Sequence, residues 1–160
     1  MKKLFFGACI AFMALSISSC GTTGSSSSSE FTITSGQWSA NGTAGQSNFC
    51  YVHSHTMSSI TQGIIDNGYV LAYIKFTGTN TQYAPLPYTE TYNGYTVNYY
   101  HQYQSGTLFI VRKDSDLNTI PPSGSITIKV IVVNTKDAPL LDGVNTNNYV
   151  EVKEALQLAD

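Results

Sequence analysis

Hydrophobic and polar residues alternate along much of the chain after residue 30. Phe31 and Ile33 alternate with polar residues over 30–34, and the segment 47–55 has the same two-residue period. Successive side chains of a strand point to opposite faces, so this period predicts strands with one buried face. The segment 69–76 is apolar at both parities. It is therefore predicted to be a central strand with cover on both sides.

Turn residues divide the middle of the chain into further strands. Asn93-Gly94 separates 89–92 from 95–103, and this dipeptide favours a type I′ hairpin turn with positive φ at both residues. Pro85 and Pro87 cannot donate to a strand ladder, so they predict the edge of a sheet. We expect an antiparallel meander that also includes the segments 107–113 and 125–134.

Two segments have a helical rhythm instead. Over 58–68, isoleucines recur four or five residues apart, the serines at the start would cap a helix, and Gly68 would end it in the left-handed conformation. Over 148–158, Asn148 and Glu151 are spaced like a capping box ahead of an apolar stripe. The whole pattern predicts a mainly β chain. We expect an antiparallel β-sandwich with a short helix between early strands and a short C-terminal helix.

The first residues have the organisation of a signal peptide. Two lysines precede an apolar run over 4–15, and small residues follow over 16–19. The run is shorter than the roughly 20 residues that cross a bilayer. Ile17-Ser18-Ser19-Cys20 resembles the lipobox of bacterial lipoproteins, which implies cleavage before Cys20 and lipidation of that cysteine with palmitate. An ordinary cleaved signal peptide is the alternative.

The residues after Cys20 are glycine, threonine and serine up to Ser29, a composition typical of a flexible tether. The predicted organisation is a lipoprotein signal peptide over 1–19, a lipidated cysteine and tether over 20–29, and a single β-sandwich domain over 30–160. The lipid makes a membrane the first expected partner. Gly21, by resemblance to lipoproteins, favours the outer membrane, with the domain facing the periplasm or the cell surface.

Charge and cysteine content narrow the classes of partner. Once the two lysines of the signal peptide are removed, six basic residues face ten acidic ones, a formal charge of −4. Nucleic acid is an unsuitable partner because no basic cluster would neutralise several phosphates. Cys50 has no cysteine left to pair with after Cys9 is cleaved off and Cys20 is lipidated. It is predicted to be a small buried side chain.

Candidate chemistry is sparse. His53 and His55 have the same strand parity, which would direct both imidazoles to one metal ion, but the third histidine, His101, has no sequence cue that brings it near. No nucleophile elbow or carboxylate pair is present: Glu90 is isolated, and Asp114 is predicted to lie in a solvated turn. The chain is therefore predicted not to be an enzyme and to need no cofactor.

Aromatic residues in or near predicted loops are the remaining candidates for binding. Carbohydrate-binding β-sandwiches stack sugars on such side chains, and Trp38, Tyr88 and Tyr92 are the candidates here. The alternative is that these aromatic rings fill the core and edges of the sandwich.

Four parts of the chain together resemble a family of small exported bacterial proteins and lipoproteins without an assigned activity: residues 33–38, 60–68 with 70–73, 85–88 and 148–156. The resemblance implies a compact β-rich fold and carries over no catalytic residues. We expect a non-catalytic envelope module that binds an envelope protein or a glycan. A hydrolase with a metal on His53 and His55 is the second alternative.

Overall fold

A computed structural model describes residues 25–78, 82–117 and 119–159. The predicted signal peptide and Cys20 lie outside these ranges. Within them, nine strands form two antiparallel sheets. The four-stranded sheet has the order β1 (Ser27–Ile33), β9 (Ile126–Val133), β4 (Tyr69–Phe76) and β5 (Ala84–Pro85). The five-stranded sheet has the order β2 (Ser39–Asn41), β3 (Cys50–Thr56), β8 (Thr107–Asp114), β7 (Tyr95–Gln104) and β6 (Tyr88–Tyr92).

Short helical segments join and cover these sheets. The helix α1 (Gln62–Asn67) connects β3 to β4, and α2 (Tyr149–Ala155) follows the last strand. Single 3-10 turns occur at Ser35–Gln37 and Ala138–Leu141. The antiparallel β-sandwich with one early and one late helix confirms the predicted fold class.

The main core lies between the two sheets. Alternate residues of β9 and β4 face alternate residues of β7 and β8 across this interior, as the two-residue period requires. Its fully buried members include Ile74, Val97, Leu108, Ile110 and Ile128. Burying one such side chain contributes about 1.5–3 kcal/mol, so this layer supplies most of the driving force for the sandwich.

A second core covers the outer face of the four-stranded sheet. Tyr73, Ile131 and Val133 point away from the main core and pack against Leu141, Val152 and Leu156. The strand β4 is therefore buried on both faces between β9 and β5, which confirms its predicted central place. The apolar stripe of α2 packs on this face because it would otherwise remain in water.

The serine tract belongs to the folded domain, which corrects the predicted boundary of the tether. Residues 27–29 lie in β1, which pairs along its whole length with β9. Just before β1, the Ser26 N–H donates to Asp137 Oδ2 at 2.8 Å, and the Ser26 hydroxyl accepts from the Asn134 N–H at 2.9 Å. The tract has the composition of a tether, but β9 offers backbone partners that a free tether lacks.

Two predicted roles of glycine are also corrected. Gly94 has φ of +97° but Asn93 is not among the residues with positive φ, so the hairpin turn is not type I′. Gly68 ends α1 in an extended conformation, with φ of −104°. A Cβ there would lie 2.5 Å from the Val133 carbonyl oxygen, so close approach to β9 is what requires a glycine. The cap at the start of α1 is Thr61 in place of the predicted serines.

Two further expectations differ from the structure. The strands β6, β7 and β8 form the predicted meander, but β9 crosses to the other sheet.

Cys50 is half-exposed on the outer face of the five-stranded sheet, where it lines a shallow cavity with Val52, Tyr100 and Phe109. The described residues that line this cavity all belong to strands, and a side chain expected inside the protein contacts solvent there.

Candidate functional site

The three aromatic residues predicted to bind a ligand lie at opposite edges of the five-stranded sheet. Trp38 directly precedes β2, which is one edge strand, whereas Tyr88 and Tyr92 lie on β6, the other edge strand. Three whole strands separate the two positions. A single aromatic platform containing all three rings is therefore ruled out by the order of the strands.

The Trp38 edge is a packed cluster of rings. Trp38 is half-buried against the main core and meets the His53 ring edge to face, with centroids 6.4 Å apart. His55 stacks on Phe31 of the other sheet, with centroids 3.7 Å apart and planes within 6°. The imidazole rings thus join the two sheets instead of facing an open site.

His53 and His55 lie on the same face of β3, as predicted, but they are not arranged to bind a metal ion. The His53 Nδ1 lies 3.0 Å from the Gln37 carbonyl oxygen, and the two ring centroids are 6.2 Å apart. His101 lies in the same row of the sheet as His53, but Ile110 of β8 stands between them. No group of three His, Cys, Asp or Glu side chains placed to hold a metal ion occurs among the described residues.

The pKa values of two histidines reflect this packing. Burial, followed by the charge of His53, lowers the pKa of His55. Burial also lowers the pKa of His101, against a hydrogen bond between its Nε2 and the Val70 carbonyl oxygen at 3.2 Å. Because a carbonyl only accepts, Nε2 carries the proton, and Nδ1 is buried without a partner. Both side chains therefore favour the neutral form.

The opposite end of the sandwich is open. A cavity of about 390 Å³ lies between the ends of the two sheets near β6, and we refer to it as the Tyr92 cavity. Strand ends and the loop before β9 form its walls, which are lined by Phe76, Thr77, Glu90, Tyr92, Tyr95, Tyr99, Arg112, Ser123, Gly124, Ser125 and Ile126. Of the residues predicted from sequence to bind a ligand, Tyr92 lines this cavity.

A pair of stacked tyrosines forms one wall. Tyr92 and Tyr95 face each other across the hairpin, with ring centroids 5.1 Å apart and planes within 14°. The Tyr92 hydroxyl donates to Glu90 Oε2 at 2.6 Å, and this hydrogen bond, followed by burial, raises the pKa of Tyr92. Tyr92 nevertheless remains 43% exposed. Its ring is thus held in one orientation while one part of its surface stays open to solvent.

Arg112, one of the residues that line the Tyr92 cavity, forms a buried ion pair with Asp114. Arg112 Nε donates to Asp114 Oδ1 at 2.9 Å and Arg112 Nη2 donates to Oδ2 at 2.7 Å, and the two side chains are 13% and 3% exposed. The bidentate geometry leaves three of the five guanidinium N–H groups that Asp114 does not use. Residues i and i+2 of β8 share a face, which directs both groups inward. Asp114 is therefore not in a solvated turn, contrary to the prediction.

Tyr99 lines the cavity, and Tyr88 lies beside it in the sheet. Tyr88, Tyr99 and Arg112 occupy one row across β6, β7 and β8. Burial raises the pKa of Tyr99 to about 12, against the opposing field of Arg112, so its hydroxyl stays protonated near neutral pH. Tyr88 packs against Phe76 with centroids 5.4 Å apart, so it supports the cavity from behind and does not line it.

A second cavity, of about 490 Å³, lies where α2 docks on the outer face of the four-stranded sheet. Its two tyrosines have structural contacts: the Tyr83 hydroxyl donates to Glu30 Oε2 at 2.5 Å, and the Tyr149 ring packs edge to face on Tyr73. Because the rings of this second cavity take part in packing α2 on the sheet, it is a weaker candidate site than the Tyr92 cavity, although its volume is larger.

Sequence reasoning missed Arg112, Asp114 and Tyr95. The signal was present, because Arg112 and Asp114 continue the inward parity of Leu108 and Ile110 along β8. What the sequence lacks is the register that brings Glu90 of β6 into the same row as Asp114, with Val97 between them.

Comparisons with known proteins provide no family assignment. A scan against protein-family models found no match, and neither did searches of curated proteins and of solved structures. The resemblance to a family of exported lipoproteins stays a prediction. Neither helix in the described part of the chain is long and apolar enough to span a membrane.

Proposed function

We propose that this protein is an exported, lipid-anchored binding module of the bacterial envelope, that it does no covalent chemistry, and that it binds a glycan in the Tyr92 cavity. The observation that supports the ligand class is the Tyr92–Tyr95 stack beside Glu90 and Arg112. Sugars present both C–H faces, which pack on aromatic rings, and hydroxyl groups, which need fixed polar partners.

The groups of the cavity suit this chemistry. Tyr92 offers a partly exposed ring whose hydroxyl is already bound to Glu90, so little side-chain freedom is lost when a sugar packs on it. Arg112 supplies donors, and Glu90 supplies acceptors. A site built on strands also holds its groups more rigidly than a loop would.

The test is calorimetric titration of the purified full-length protein with a panel of oligosaccharides and peptidoglycan fragments. We expect saturable binding of one ligand class and a loss of about tenfold in affinity on Tyr92→Ala, equivalent to about 1.4 kcal/mol. Tyr100→Ala is the matched control, because Tyr100 lies on the outer face of the same sheet, away from the cavity. Binding that both variants weaken equally, or no binding to any glycan, would count against the proposed site.

The anchor is a separate part of the proposal. Cys20 would carry palmitate and attach the domain to an outer membrane, facing the periplasm or the cell surface. Metabolic labelling with a palmitate analogue tests this directly, since Cys20→Ser should abolish the label and release the protein from membranes, whereas Cys50→Ser should leave both unchanged. Equal labelling of wild-type protein and Cys20→Ser would refute it.

A further inference from the structure

The charge of the Tyr92 cavity restricts the class of ligand that it can bind. Arg112 is neutralised by the buried Asp114 carboxylate, with which it forms a bidentate pair. Glu90 belongs neither to this pair nor to the Lys129–Glu30 pair, and its partner is the Tyr92 hydroxyl. The charges of Arg112, Asp114 and Glu90 therefore sum to one negative charge, which is on Glu90. An anionic ligand would meet repulsion there, and a cation would meet attraction.

The aromatic wall of the cavity also favours a cation over an anion. The face of an aromatic ring attracts a cation that lies within about 6 Å of its centre. Tyr92 is 43% exposed. Its hydroxyl is bound by Glu90 through Oε2, so the other carboxylate oxygen, Oε1, is left for a ligand. A partly exposed ring next to an anionic oxygen is a suitable site for an ammonium group.

We propose that the Tyr92 cavity recognises an amino sugar through its protonated amine, which would pack against the Tyr92 ring and pair with Glu90. This proposal rests on the proposed glycan-binding function and specifies its ligand class. Glucosamine-type units provide the ammonium and the hydroxyl groups on one ring. The hydroxyl groups would face the donors of Arg112 and the serines of the loop before β9.

The experiment compares two ligands of equal length on the full-length protein. A hexamer of glucosamine and a hexamer of N-acetylglucosamine are titrated calorimetrically at a pH where the free amines are protonated. We expect the glucosamine hexamer to bind about tenfold more tightly, an energy difference typical of one favourable charge pair. The advantage should shrink as salt is added, because salt screens an exposed pair.

Glu90→Gln is the matched variant, since a glutamine side-chain oxygen still accepts the Tyr92 hydroxyl while the charge is lost. We expect the ratio of the two affinities to approach one, because only the glucosamine hexamer carries amines that pair with the Glu90 charge. A thermal melt of the variant confirms that it is folded. An unchanged ratio in Glu90→Gln would overturn the proposed role of this carboxylate.

The outcomes separate the two proposals. If both hexamers bind wild-type protein equally, the amine preference is wrong while glycan binding stands. If neither hexamer binds but another glycan of the panel does, the amino-sugar class is wrong. If no glycan binds, the proposed function fails as well. A lysine hexapeptide provides the last control, because displacement of the sugar by this peptide at equal concentration would show attraction by charge alone and overturn recognition of a sugar.

Discussion

At the Trp38 edge of the five-stranded sheet, aromatic rings pack on one another and close the gap between the sheets, whereas at the β6 edge similar rings line an open cavity. His55 stacks on Phe31 at 3.7 Å, and Trp38 packs on the main core. Tyr92 stacks on Tyr95 at 5.1 Å but keeps 43% of its surface exposed. Composition alone does not separate a packed ring from a ring that lines an open cavity; the partner across the sandwich does.

The difference follows from what lies opposite each cluster. Opposite the Trp38 edge, β1 contributes Phe31, an apolar side chain that fills the space. Opposite β6, the sheet ends at Phe76 and the loop 123–125, whose small residues leave room. Polar groups occupy the resulting cavity, and the inward charges of β8 are tolerated there because they pair with each other.

The largest effect should come from breaking the ion pair at the open edge. Asp114→Ala leaves the Arg112 guanidinium buried without its partner, and we expect the free energy of unfolding to fall by about 3–5 kcal/mol. Urea unfolding followed by circular dichroism measures this loss. The double variant Arg112→Met with Asp114→Leu should recover most of it, since it leaves no unpaired charge. A loss below about 1 kcal/mol in Asp114→Ala would show that the pair does not stabilise the cavity.

A smaller effect is expected at the Trp38 edge, and it should act on stability alone. Trp38→Ala removes half-buried apolar surface from the main core, so we expect a loss of about 2 kcal/mol in unfolding free energy. Glycan affinity should remain within about twofold, because Trp38 is not among the residues that line the Tyr92 cavity and lies at the opposite edge of the sheet from Tyr92. Tyr92→Ala should instead weaken glycan binding and change the free energy of unfolding less than Trp38→Ala does. If Trp38→Ala also abolished glycan binding, the functional division between the two edges would be wrong.

The smallest effect is a dependence of stability on pH. The folded pKa values of His55 and His101 are lowered, so the unfolded chain takes up protons first as the pH falls. Stability should be constant above about 6.5, the unfolded value, and should decline as the pH drops towards the folded values. Urea midpoints across this range provide the measurement.

His55→Phe preserves a ring on Phe31 and removes one titrating group, so its midpoint should vary less with pH. His101→Gln removes the other group and retains a donor for the Val70 carbonyl. The two changes together should leave little slope until the carboxylates titrate. Glu30, bound by Tyr83, and Asp137, bound by the Ser26 N–H, have lowered pKa values, so their contribution is lost only at lower pH. A slope near pH 6 unchanged in both histidine variants would contradict this assignment.

The fold was predictable because most of its determinants are local. The two apolar parities of 69–76 correspond to a strand buried on both faces, and the apolar stripe after Asn148 corresponds to α2. The serine tract shows the limit, since its place in β1 depends on β9, about a hundred residues further along the chain. The Asn93-Gly94 hairpin was likewise predicted in position but not in turn type.

The candidate site was predictable only in part. Tyr92 was identified because it lies beside a turn, and Arg112 and Asp114 were missed because an isolated strand gives no sign of its neighbours. Trp38 was grouped with Tyr92 by residue type, although the strand order places them at opposite edges.

The sequence by itself therefore determined which segments become strands and helices, which parity of each strand is apolar, and that few charges are available for chemistry. These properties depend on side chains within a few residues of one another. The tertiary structure alone decided which rings are packed and which are open, and that Glu90, Tyr92 and Arg112 line one cavity. Strand order and register set those distances, and both arise from pairings between residues far apart in the chain, which no local pattern encodes.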